Sequence, residues 1–206
     1  MGTYFGGVNY FNPEYEIYTR YSYSSNEKKG LSNPVVGRTI EDRDGNLWIG
    51  TEGGGLNYYN RRTREFKWYR PQEGRNSISH NNVKALYYDA DKEIIWIGTH
   101  LGGLNKLDIR SGHFTHYRME EGNPNTLPSD IIRDIIPYKS LLIIATQNGV
   151  CLFDPANGQC QQLFKDSKEG KSIKMVADVT FDSEGTLWIA ATGEGVFSYR
   201  FDTCRL

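Results

Sequence analysis

A four-residue phrase returns through this chain at nearly constant spacing. It reads Trp-Ile-Gly-Thr at Trp48–Thr51 and Trp96–Thr99, Ile-Ile-Ala-Thr at Ile143–Thr146, and Trp-Ile-Ala-Ala at Trp188–Ala191, in steps of 48, 47 and 45 residues. A period in the forties built of β-favouring residues restricts the chain to an array of small sheets, each of which buries its faces only by stacking on its neighbours. Such arrays usually present binding surfaces rather than one embedded active site.

The copies agree beyond the phrase. Each is followed by a turn of small residues and an apolar, aromatic-rich run, at Glu52–Asn60, His100–Asp108, Gln147–Asp154 and Thr192–Arg200. Ahead of it comes an Asp- or Gly-containing turn, as at Asp42–Asn46 and Asp182–Thr186, and before that an alternating segment such as Val83–Tyr88 or Ile131–Ile136. A fourth run closes the unit at Glu65–Tyr69, His113–Tyr117 and Gln159–Phe164. Four short β-rich runs (A to D) punctuated by Gly, Asp and Asn predict strands joined by tight turns. No run of helical period and length stands out. The chain is therefore predicted to be all-β, a β-propeller fragment made of four-stranded antiparallel blades.

Gly2–Asn12 superposes on Gly50–Asn60, and Tyr18 and Tyr21 fall where Phe66 and Tyr69 stand. Residues 2–22 thus read as the end of strand B with strands C and D. Residues 31–70, 78–118 and 127–165 read as whole blades, and 172–206 as strands A, B and C of a last one, all within a single propeller region over 1–206. The chain reads as cut from a longer propeller; the alternative is a small ring whose two partial ends share one blade. Open blade edges recruit other chains, so a homodimer sharing them is a further expectation.

The 14 Tyr, 9 Phe and 4 Trp suit the wedge between blades, where large flat side chains fill space. A net charge of -1 with both signs scattered gives no electrostatic case for nucleic acid or an anionic membrane. No apolar stretch of about 18 residues is present to span a bilayer. Cys160 occupies the position of Phe66 and Phe114 and reads as core, while Cys151 is expected to face Gln161 or Gln162 across its hairpin. An odd cysteine count carries no inference about compartment.

Asp42–Asn46 resembles the start of a calcium loop, but no Glu follows at the twelfth position and no helices flank it, so a hairpin turn is expected. Gly53–Gly55 lacks the Lys-Ser/Thr of a phosphate loop. His80, His100, His113 and His116 have no zinc-ligand spacing. No catalytic residue, metal or cofactor is assigned. One charged position is of interest: aligning Val36, Val83, Ile132 and Val176 brings Arg38, Ala85, Asp134 and Asp178 into register on strand A, the innermost strand of a blade. The D–A connections Arg70–Asn82 and Arg118–Asp130 are long and polar and share a face with the B–C turns, so this face is the expected binding surface.

The phrase from Glu41 through Leu56 resembles the two-component regulator propeller repeat, as do the lead-in segments Leu31–Val36 and Ile78–Val83. The third copy departs at Ile143 and Ala145, the fourth at Ala190 and Ala191. The resemblance implies a periplasmic sensor segment of a hybrid two-component system, whose parent carries two propellers, a β-sandwich, an inner-membrane helix and a histidine kinase, and which senses glycans. On that reading the partners are an oligosaccharide and the remaining blades and second propeller. Recognition is then expected from Asn33, His80, Asn82 and Asp130 at strand-A lead-ins, Glu52, His100 and Gln147 in B–C turns, and Arg38 near the axis. Each of these also suits a solvated loop. A propeller glycosidase or lyase is the competing class, since Gly45 and Trp48 match part of a sialidase-type turn, but Arg43 and Leu47 depart from it. A protein-interaction platform is the third.

Overall fold

The computed structural model describes residues 2–3, 7–12, 17–164 and 173–201; the side chain of Tyr18 and all of Cys204 lie outside them. Five meandering sheets follow one another. The first holds β1 (Gly2–Thr3), β2 (Gly7–Asn12) and β3 (Ile17–Tyr21). The second holds β4 (Val36–Glu41), β5 (Leu47–Thr51), β6 (Gly55–Asn60) and β7 (Glu65–Tyr69). The third holds β8 (Val83–Asp89), β9 (Ile94–Thr99), β10 (Leu104–Asp108) and β11 (His113–Tyr117). The fourth holds β12 (Ile132–Tyr138), β13 (Leu141–Thr146), β14 (Gly149–Phe153) and β15 (Cys160–Leu163). The fifth holds β16 (Val176–Phe181), β17 (Leu187–Ala191) and β18 (Gly195–Tyr199). The chain divides into two compact units, one of residues 1–99 with 105–115 and one of residues 100–104 with 116–206.

The repeated phrase is the second strand of each blade, and its letters have separate physical uses. All six residues of β9, and five of six in β13, are buried, because this strand is covered on both faces. That removes the need for polar alternation. Gly50 is small because a Cβ there would meet Val83 of the next sheet at 2.6 Å. The threonine closes the hairpin, with Thr51 Oγ1 donating to Gly55 C=O and Thr146 Oγ1 to Gly149 C=O, each at 2.9 Å. The tryptophan is tied to the turn before it. Asp42 accepts the N–H groups of Asp44 and Asn46 on one oxygen and the Trp48 indole N–H on the other, at 3.1 Å. Asp182 repeats this with Glu184, Thr186 and Trp188, the last at 2.8 Å. The calcium-like Asp-x-Asp-Gly-Asn segment is thus a turn whose first carboxylate is occupied by protein donors.

In the first unit, Trp48, Leu56, Ile78, Val83, Leu86, Ile95, Ile97, Leu107 and Phe114 form one core between the second and third sheets. A smaller one joins Leu31, Ile49, Tyr59 and Phe66 with Tyr21 packed against it. In the second unit, Ile143, Ala145, Val150, Ile173, Val176, Val179, Leu187, Ile189 and Ala191 fill the space between the fourth and fifth sheets. Cys151 lies opposite Gln162, as the hairpin register requires, yet its sulfur meets that of Cys160 diagonally at 3.3 Å. Both are free, buried thiols, and burial pushes that of Cys151 up.

The long D–A connections have a structural use. Each runs along the outer strand of the blade it leads into and pairs with it. Glu27 accepts the Trp68 N–H at 2.6 Å, the Asn76 side chain accepts that of Phe114 at 2.7 Å and donates to Gly112 C=O at 2.9 Å, and the Asn125 carbonyl accepts that of Cys160 at 2.8 Å. Outer edges that would otherwise template association are covered in this way.

The Asp182 turn has a pH signature. The Trp188 indole and the Thr186 N–H hold its carboxyl below the usual aspartate range. A group with a lowered folded pKa contributes stability above its unfolded pKa and loses it as pH falls through the folded one. Asp182→Asn is therefore expected to flatten the fall in melting temperature below about pH 4. Calorimetry between neutral and acid pH checks this; parallel curves for variant and wild type would contradict it.

Candidate functional site

The first strand of each of the second to fifth sheets opens with a bulge. The register slips between Val36 and Thr39, Val83 and Ala85, Ile132 and Asp134, and Val176 and Asp178. A bulge re-aims the side chain at its centre. Three of these bulges hold a cationic residue, Arg38, Lys84 and Arg133, and the last two each reach a B–C turn.

In the first unit, Glu52 lies between two lead-ins. Its N–H donates to Val35 C=O at 3.0 Å, it pairs with Asn82 as an isolated bridge, and its carboxylate meets Lys84 Nζ at 2.5 Å. Asn33 and His80 shape their own turns, Asn33 accepting the Val35 N–H at 2.8 Å and His80 Nδ1 accepting that of Asn82 at 3.1 Å. Ser129 does the same for Ile131 in the lead-in to the fourth sheet. Arg38 is exposed within the bulge of β4. Two ring surfaces that sequence reasoning did not single out also occur here. Tyr23, in the connection after β3, is 55% exposed, and Arg70 stacks over Trp68 at 4.4 Å.

In the second unit, His100 pairs with Ile131, and Asp130 binds three groups. Its carboxylate accepts the Met119 N–H at 2.8 Å and Arg118 at 3.4 Å, and its carbonyl accepts the Gly103 N–H at 2.9 Å. Gln147 takes part in three hydrogen bonds, its N–H to Ile131 C=O, its C=O from Met175 N–H, and its side chain from Arg133 at 3.4 Å. Asp134 is buried and Asp178 exposed. Thus Glu52 joins Asn82, while Asp130, His100 and Gln147 line the seams between consecutive strands; much of their polar capacity is used within the chain. Lys84 and Arg133 were missed because a bulge cannot be read from spacing alone. Leu101 was also missed. It takes the place of Gly53 in its turn, keeps φ at 76° and is 56% exposed.

Two hollows flank the Arg118–Asp130 connection. One of about 500 Å³ is lined by the amides Asn125, Asn157, Gln159, Gln161 and Gln162 together with Asp154. A second, of about 660 Å³, lies along Met119–Pro124 with Leu127, Pro128 and Gln162, and Glu120 and Glu121 face it. No cluster of metal-ligating side chains occurs among the described residues. No described helix is long and apolar enough to cross a membrane.

Residues 30–53 and 77–100 match the family described as two component regulator propeller. No curated protein matches the chain. Among solved structures, it is similar to the extracellular domain assigned to the hybrid two component system BT3049 of B. thetaiotaomicron, at 23% identity and a TM-score of 0.79, over 99% of this chain and 27% of that one. It is similar also to the extracellular domain assigned to a one component system, BT4673 of B. thetaiotaomicron, at 23% identity and a TM-score of 0.79, over 99% of this chain and 28% of that one. A streptogramin B lyase shares 13% identity at a TM-score of 0.62, over 95% of this chain and 62% of that one. The chain spans about a quarter of the length of the two extracellular domains. The likeness establishes the fold: an all-β propeller fragment of four-stranded antiparallel blades.

Proposed function

We propose that this chain, which carries two component regulator propeller repeats at residues 30–53 and 77–100, is the ligand-sensing extracytoplasmic segment of a two-component sensor, and that its ligand is an oligosaccharide. On this reading the segment is periplasmic and non-enzymatic, its parent is anchored in the inner membrane, and a histidine kinase outside it makes the response. The observation that carries the glycan reading is the pair of hollows beside the Arg118–Asp130 connection. Their volumes of about 500 and 660 Å³ suit a small ligand. Six amides and three carboxylates line them and match the alternating donors and acceptors of sugar hydroxyls. A ligand acts only through unequal affinity for two receptor arrangements. A sugar held between the connection and β15 would bias how this segment packs on the remaining blades and a second propeller of the parent.

Thermal-shift screening against plant and host oligosaccharides tests the reading. One glycan class at about 100-fold over its Kd should stabilise the chain by about 2.7 kcal/mol, a rise of roughly 5–10 °C. Gln162→Ala should weaken that response at least tenfold. A well-folded chain that answers no glycan, or a variant that binds as well as wild type, would contradict it. One observation favours protein docking instead: Leu101 presents an exposed apolar side chain from a left-handed turn position.

A further inference from the structure

The turn between the third and fourth strands of a blade is built alike in three sheets. The N–H of Arg64 donates to Asn60 C=O, that of Gly112 to Asp108 and that of Gly158 to Asp154, each at 2.8 Å. The donor residue has a positive φ in each, at 60°, 69° and 76°. Glycine takes this conformation without steric cost and an L side chain does not. Two of the three turns use glycine; the second sheet uses arginine. The neighbouring position changes as well, with Arg61 where the other turns have Ile109 and Pro155.

Both arginines border a hollow of about 230 Å³ whose remaining wall is Tyr21, Leu47 and Tyr59, all within the first unit. Tyr21 donates its hydroxyl hydrogen to Tyr59 at 3.1 Å, with the rings 4.8 Å apart. That leaves the Tyr59 hydroxyl hydrogen without an acceptor among the described residues. Arg61 bonds Glu41 at 3.2 Å, whereas Arg64 has no carboxylate partner among the described residues. Burial and the Tyr59 bond push Tyr21 up to about 12, and the charges of Arg61 and Arg64, which line the same hollow, oppose this.

We propose that this hollow binds a small oxyanion: a carboxylate, sulfate or phosphate group held by Arg64 and Arg61 and by the Tyr59 hydroxyl. Planar guanidinium forks and a phenolic donor match such a group, and the leucine wall excludes water from one side. The site is separate from the amide-lined hollows and does not depend on the glycan reading. Its ligand is either a free inorganic ion or the acid group of an acidic sugar.

Isothermal titration of the full chain with sulfate, phosphate, glucuronate and glucose, at constant ionic strength in chloride, tests it. The oxyanions should bind and glucose should not. Arg64→Gly installs the residue of the sister turns, so the variant should melt no lower than wild type while binding at least tenfold more weakly. Tyr59→Phe should weaken binding several-fold. Tighter binding of glucuronate than of the inorganic ions would support the site with an acidic sugar as the source, and the reverse order would support it with a free ion. Absence of oxyanion binding, or an Arg64→Gly chain that binds like wild type, would overturn the assignment.

Discussion

Trp48→Ala is expected to destabilise the chain by about 3–5 kcal/mol, lowering its melting temperature by roughly 10 °C, while Trp188→Ala costs about 1 kcal/mol. The two residues hold the same place in the repeated phrase and make the same indole bond to an aspartate. Their surroundings differ. Trp48 is 2% exposed, with its ring 4.7 Å from that of Tyr58 and stacked at 5.7 Å on that of Tyr69. Trp188 is 41% exposed. Removing the first leaves a cavity in the core between the second and third sheets; removing the second mainly returns a carboxylate to water. Urea unfolding of both variants measures the difference. Equal losses would mean that the phrase acts through its turn and not through packing between sheets.

Asn57→Ala is the second large expectation, at about 2–4 kcal/mol. Asn57 is fully buried; its side-chain oxygen accepts the Ser32 N–H at 2.8 Å and its amide donates to Ser32 Oγ at 2.8 Å. Truncation leaves a buried backbone donor with nothing to bond. Asn105 binds the Ser79 N–H in the same way at 2.8 Å. The fourth sheet has Pro128 at the serine position and Cys151 at the asparagine position. Proline has no N–H, so no acceptor is required. The pair should therefore be coupled: Asn57→Cys combined with Ser32→Pro should cost at least about 1 kcal/mol less than the sum of the single changes. A double-mutant cycle by urea unfolding measures this, and strict additivity would show that the two positions vary independently.

The fold was largely legible because its signal is periodic. Gly, Asp and Asn marked the turns, and the strands begin where the alignment of Val36, Val83, Ile132 and Val176 places them. The roles of single polar residues were less legible. Asn57 sits inside an apolar run, and its partner Ser32 is 25 residues away. Asn33 and His80 read as ligand candidates because they are polar and lie in loops. Their bonds to Val35 and Asn82 instead follow a local i to i+2 turn pattern that could have been recognised. The length of the D–A connections suggested binding apparatus, and part of that length is used to cover strand edges. Lys84 and Arg133 depend on a bulge, and Arg64 becomes informative only when its φ is compared with those of Gly112 and Gly158.

Amide hydrogen exchange of the full chain, with and without the oligosaccharide that most raises its melting temperature, tests the central claim most directly. Binding at the amide-lined hollows predicts slower exchange in residues 118–130 and 157–163, with little change in 36–60. Protection confined to other segments, or no protection anywhere at saturating glycan, would contradict the placement of a saccharide site on this segment.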